Sequence, residues 1–173
     1  FLNINPRSLA DAIHSANSKV IYVSAGVDEV VASALINTAI KIGRENVSVL
    51  LDISESVLRY GYGNIDGVTL LKENGIHIKE ADGIRICALV YDDQGIIFTP
   101  TPLLIEAGKK GPTQPNAMKA SLEQVNDIVT AILPPQNTRN RVEAEIGKIP
   151  VSDIKIEKVK QAIKINPPQL FDV

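Results

Sequence analysis

The chain has 173 residues, long enough for one compact domain with an appendage and too short for two full domains. Apolar residues make up 45% and charged residues 22%, a globular mix that excludes extended disorder. The net charge of −2 argues against a surface built mainly to hold nucleic acid, though not against a local patch.

Residues 8–16 read as a short amphipathic helix, with Leu9, Ala12, Ile13 and Ala16 on one stripe and Ser8 as N-cap. The continuous apolar run 19–23 reads as a strand buried on both faces. A turn at 24–27 leads into a long helix over 28–43. Its apolar positions Val27, Val31, Ala34, Leu35 and Ile42 have helical spacing, and Asp28 and Glu29 complement the helix dipole. Residues 46–53 form a second β-branched strand, so the helix is expected to join two parallel strands as a right-handed crossover.

Residues 54–63 read as part helix and part loop, and 66–74 as a helix closed by Gly75. The alternating run 76–80 reads as a half-exposed strand. Residues 84–90 and 96–99 read as an antiparallel hairpin turning at Asp92, Asp93, Gln94 and Gly95. From Thr99 to Pro115, four prolines and two glycines after Thr99 mark a long irregular excursion, a length that is usually functional or mobile. The helix 122–133 aligns Val125, Ile128, Val129 and Ile132 and stops at Pro134 and Pro135.

The expected fold class is α/β, a mixed and mostly parallel sheet flanked by helices, with a helical C-terminal appendage. The division falls between a body, 1–133, and a Pro-bounded linker and tail, 134–173, with helices expected over 139–146 and 155–165. The tail is mildly basic, seven basic against five acidic residues, and the body acidic, eleven against fifteen. The chain starts without Met and stops at Val173, which fits a domain excised from a longer protein with a missing downstream region, or trimmed ends. No signal peptide is visible and no stretch reaches ~18 uninterrupted apolar residues, so no membrane span is expected. One cysteine, Cys87, cannot form an internal disulfide, which points to a reducing, cytoplasmic setting.

Residues able to do chemistry are few. His14 and His77 are far apart in sequence, and one Cys with two separated His makes no zinc ligand set, so neither a metal nor a cofactor is expected. The turn 24–29 joins a strand to a helix, where phosphate loops occur, but it lacks their spaced glycines and carries two acids. Asp92 and Asp93 read first as turn formers. Cys87, inside an apolar run, reads as a small buried hydrophobe.

The order of elements over residues 8–133 resembles one half of the phospholipase D-like superfamily. The resemblance rests on the helix and strand Ala10–Val23, the crossover helix Val30–Ile42, the strand Val47–Leu51, the helix-Gly-strand piece Gly67–Ile78, and Ile84–Phe98 with its Tyr91, Asp92, Asp93 turn. That family cleaves phosphodiesters with a His-x-Lys-x4-Asp motif on the strand entering the turn. Aligned there, the histidine position falls on Arg85, the lysine on Cys87 and the aspartate on Asp92. Only the acid is kept. Arginine stays protonated and cannot attack, and cysteine removes the phosphate-neutralising cation. Arg85 and Cys87, two apart, are expected on one strand face. The family's Gly-Ser and Asn after the strand are replaced by Thr99, Pro100, Thr101 and Pro102, with the nearest later asparagine at Asn116.

The resemblance implies a catalytically inactive domain with no catalytic residues, acting as an interaction or dimerisation module of a larger protein. Because the fold pairs two halves across their sites, it implies a homodimer or a second copy. The alternative is a module binding nucleic acid or a small anionic effector through Arg85, Asp92 and Asp93. A third reading, a phosphodiesterase with an atypical site, meets a near miss at His77 and Lys79, where the residue five beyond Lys79 is Ile84 rather than an acid.

Overall fold

The apolar run near residue 20 becomes the centre of the molecule, strand β1 (Val20–Ser24), buried at every position. The computed structural model describes residues 1–100, 115–133, 147 and 149–168. On one side β1 pairs in parallel with β2 (Val47–Leu51), which pairs in parallel with β3 (Ile78–Glu80). On the other it pairs antiparallel with β4 (Cys87–Tyr91), followed by antiparallel β5 (Gln94–Phe98) and β6 (Ala117–Lys119). The sheet thus runs β3-β2-β1-β4-β5-β6, parallel in one half and antiparallel in the other. This is the mixed α/β class expected.

Two helical layers cover the sheet. Helices α1 (Pro6–Ser15) and α2 (Glu29–Ile42) lie on one face. So does α4 (Ile65–Glu73), which follows the short α3 (Glu55–Arg59). There Leu9, Ile13, Val31, Leu35, Val68 and Leu71 join Tyr22, Val49, Leu51 and Leu89 in the main core. Successive strand residues point to opposite faces, so Ile21, Val23, Leu50 and Val90 form a second cluster under α5 (Leu122–Ile132). Burial on both faces explains why β1 reads as unbroken apolar sequence.

Two boundaries and one short strand differ from expectation. The first helix starts at Pro6, because Asn5, not Ser8, is the N-cap. The Asn5 side chain accepts from the Ser8 amide at 3.0 Å, and Ser8 Oγ accepts from the Asn5 amide at 2.8 Å. The strand expected from 84 starts at Cys87, because residues 81–86 form a loop drawn toward β2. The short β6 was not anticipated. It is tied to the N-terminus through Leu2, which donates to the Ala117 carbonyl at 2.7 Å.

The C-terminal helix α6 (Asp153–Ile165) forms close to where it was expected. The segment before it runs along β3. Gly147 donates to the Glu80 carbonyl, Glu80 to that of Ile149 and Val151 to that of Ile78, at 2.8, 2.8 and 2.9 Å. Val151 and Ile156 belong to the main core. The helix expected over 139–146 and most of the Pro-rich excursion (101–114) lie outside the described residues. No helix among the described residues is long and apolar enough to cross a membrane.

Candidate functional site

After β1 the chain winds outward through β2 and β3, then returns to lay β4 on the other side of β1. In open α/β sheets such a reversal, at the carboxyl ends of parallel strands, is where ligand sites form. Here Ser24 ends β1, Asp52 follows β2 and Cys87 opens β4.

Asp52 organises this corner. It is 3% exposed, and its Oδ1 accepts from the Ser54 amide at 3.2 Å. Its Oδ2 accepts from the Gly83 amide at 2.9 Å and from Arg85 Nη1 at 3.2 Å. The loop is further pinned by the Ala81 amide on the Leu51 carbonyl at 2.9 Å. Arg85 Nη1 also donates to the Ile84 carbonyl at 2.7 Å, while 62% of its side chain is exposed. Sequence reasoning missed Asp52. The available signal was an acid directly after an apolar parallel strand.

Cys87 is fully buried, and its Sγ accepts from the Ala25 amide at 3.4 Å. Burial pushes its thiol above the ordinary range, outweighing the opposing effects of Ser24, the Ala25 amide and the Arg85 charge. Tyr22 beside it is also shifted upward by burial, and its hydroxyl donates to the Gly26 carbonyl at 3.0 Å. The expected shared face is not formed. Arg85 precedes the strand and turns to Asp52, whereas Cys87 points into the main core.

Asp92 lies at the opposite end of β4. Five residue steps from Cys87 correspond to roughly 17 Å along a strand. At that end it accepts from the amides of Asn17 (3.0 Å), Ser18 (2.8 Å) and Lys19 (3.2 Å) and from Ser18 Oγ (2.8 Å). Burial works against its charge, but the Ser18 hydroxyl and these three amides prevail and hold its pKa below the usual value. Its φ of 56° places it in the left-handed region that Asp tolerates in tight turns. Asp93 beside it is exposed. Arg85 and Cys87 are therefore at one end of the strand and Asp92 and Asp93 at the other, and the three degenerate-motif positions do not converge.

The turn at 24–29 is closed by packing. A Cβ on Gly26 would lie 1.9 Å from the Tyr62 carbonyl oxygen, so glycine permits the α3–α4 connection to touch this turn. Asp28 caps α2 by accepting from the Val31 amide at 2.9 Å. Between α2 and α4 a cavity of about 470 Å³ is lined by Glu29, Ser33, Asp66, Thr69, Leu70 and Glu73, an acidic wall that repels phosphate. Asn116 is a stitch. Its side chain accepts from the Ile4 amide at 2.8 Å and donates to the carbonyls of Ile4 and Thr99. His14 and His77 are both exposed. Among the described residues no group of three or more His, Cys, Asp or Glu side chains is placed to hold a metal ion.

No family model and no curated protein matches this chain. Among solved structures it is similar to a chain described as TrmBL2, an archaeal chromatin protein with a novel mode of DNA binding, at 12% identity and a TM-score of 0.33. The match covers 58% of this chain and 38% of that one, so this chain aligns with well under half of that relative's length. Likeness of this degree carries no argument about function.

Proposed function

We propose that the chain is a non-catalytic, phospholipase D-like α/β module that acts by association, pairing with a second copy of itself or of the same fold. The observation that carries this reading is how the motif positions are used. Cys87 packs in the core and Asp92 caps a turn at the far end of β4, so both serve the fold. What projects is the corner residue Arg85, beside Ile86 at 71% exposure.

That pair has the chemistry of an interface anchor, an apolar side chain beside an arginine held in place. Asp52 matters to pairing as well. By partly neutralising Arg85 it lowers the repulsion two copies would meet if their corners approached about a two-fold axis. We place the module in the cytoplasm, where the lone thiol of Cys87 stays reduced.

Sedimentation velocity across a dilution series tests the reading. A reversible dimer weakened by Ile86→Asp is expected, and a strict monomer at the highest concentration overturns it.

The exposure of Arg85 favours a second reading, a module that holds a small anion or nucleic acid. Only Nη1 of its guanidinium is engaged among the described residues. Calorimetric titration with inorganic phosphate and with a short oligonucleotide at low and high salt distinguishes the two, since nucleic-acid binding falls steeply with salt. A phosphodiesterase assay of the wild type and His77→Ala is expected to give no turnover in either.

A further inference from the structure

We propose that the C-terminal segment is a salt-sensitive strap that orders the loop presenting Arg85, with Lys155 as its clasp. The loop 81–86 is held from two sides. On the sheet side Asp52 takes the Gly83 amide and Arg85. On the other side Lys155 Nζ, from α6, reaches Glu80 Oε1 at 2.9 Å and Asp82 Oδ1 at 3.1 Å, at the start of the loop. Asp82 is adjacent to Gly83, so the two anchors grip neighbouring residues.

The strap is footed on the backbone bonds to β3 and on buried Val151, Ile156 and Val159, and charge supplies the contacts that reach the loop. α6 buries only Ile156 and Val159, while Ile154 and Ile165 are each 82% exposed. Its first turn is tied by Asp153 to Lys72 at 3.1 Å. Its last turn is capped from α3, where Arg59 donates to the carbonyls of Ala162 and Asn166. Ion pairs at partly exposed positions weaken as salt screens them, whereas an apolar dock would not. Loss of the Lys155 contacts leaves the loop held by Asp52 and by the Ala81 amide on the Leu51 carbonyl. Use of this coupling as regulation rests on reading the Arg85 corner as a contact surface; the mechanical coupling does not.

Amide hydrogen exchange on the full chain tests the coupling, comparing wild type, Lys155→Met and Lys155→Arg. Lys155→Met is expected to speed exchange at Gly83 and Ile84 about tenfold, the scale of one lost charge-assisted contact. Lys155→Arg is expected to stay near wild type, and high salt to move the wild type toward Lys155→Met. Unchanged exchange at Gly83 in Lys155→Met overturns the coupling. Should that variant fail to melt cooperatively, Glu80→Gln with Asp82→Asn removes the same contacts from the loop side and is read the same way. Sedimentation of the same proteins decides the regulatory use. Loosened exchange with unchanged self-association overturns it, and a monomeric wild type overturns the association reading while leaving the exchange result to decide the coupling.

Discussion

Arg85 and Asp52 lie 33 positions apart in the chain, yet Nη1 of one meets Oδ2 of the other at 3.2 Å. The pair is asymmetric. Asp52 is buried and surrounded by donors, whereas Arg85 is mostly in solvent. A carboxylate in that position holds a loop, and a guanidinium in that position is displayed by it.

The asymmetry sets the order of two stability effects. Asp52→Ala leaves the Ser54 and Gly83 amides without their acceptor and is expected to cost ~2–4 kcal/mol. Arg85→Ala removes a mostly exposed cation while the Ser54 and Gly83 amides still hold the buried Asp52, and is expected to cost less, about 1 kcal/mol. Urea denaturation of both variants checks the order, and equal costs would count against it.

Asp92 makes stability depend on acid. Its carboxyl is held below its ordinary value of 3.8, so the folded state binds that proton less readily than the unfolded state. The stabilisation is present above that unfolded value and is lost as pH falls through the lower folded one. Asp92→Asn is therefore expected to flatten the loss of stability in this acid window while changing little at neutral pH beyond a uniform offset. Asp92→Val adds a β-branched side chain at φ 56° and is expected to cost more than Asp92→Asn. Thermal melts over an acid pH series read both.

Cys87 is expected to be chemically silent. Burial raises its thiol pKa and closes access, so a thiol-specific reagent reaches it only through opening of the fold. Labelling should accelerate with urea in step with unfolding. Rapid labelling of the native protein would mean that Cys87 is not packed as described.

Gly26→Ala places a methyl group on the Tyr62 carbonyl, where backbone rather than a flexible side chain must give way. A cost of about 3 kcal/mol or more is expected, seen as a lowered urea midpoint. A near-neutral substitution would show that the β1–α2 turn and the Tyr62 segment are not in contact.

The fold was legible where neighbours in sequence decide it. The run Val20–Val23 reads as a doubly buried strand, and Val31 and Leu35 mark the core face of α2, because burial alone sets both patterns. The loop 81–86 was not legible. Ile84, Ile86 and Ala88 continue an alternation that looks like strand, and what breaks it is Asp52, drawing in Gly83 and Arg85 from another strand's end. A local pattern does not record such a contact. The role of Asp92 was hidden for the same reason, since its partners at 17–19 are far away in sequence. The three residues of β6 are too few to show a period.

Association through the corner that Asp52 holds and Arg85 and Ile86 present is the function we propose. Sedimentation velocity over a dilution series addresses it most directly. The expected result is a reversible dimer at high concentration that shifts toward monomer in Ile86→Asp. A single monomeric species at every concentration would contradict it.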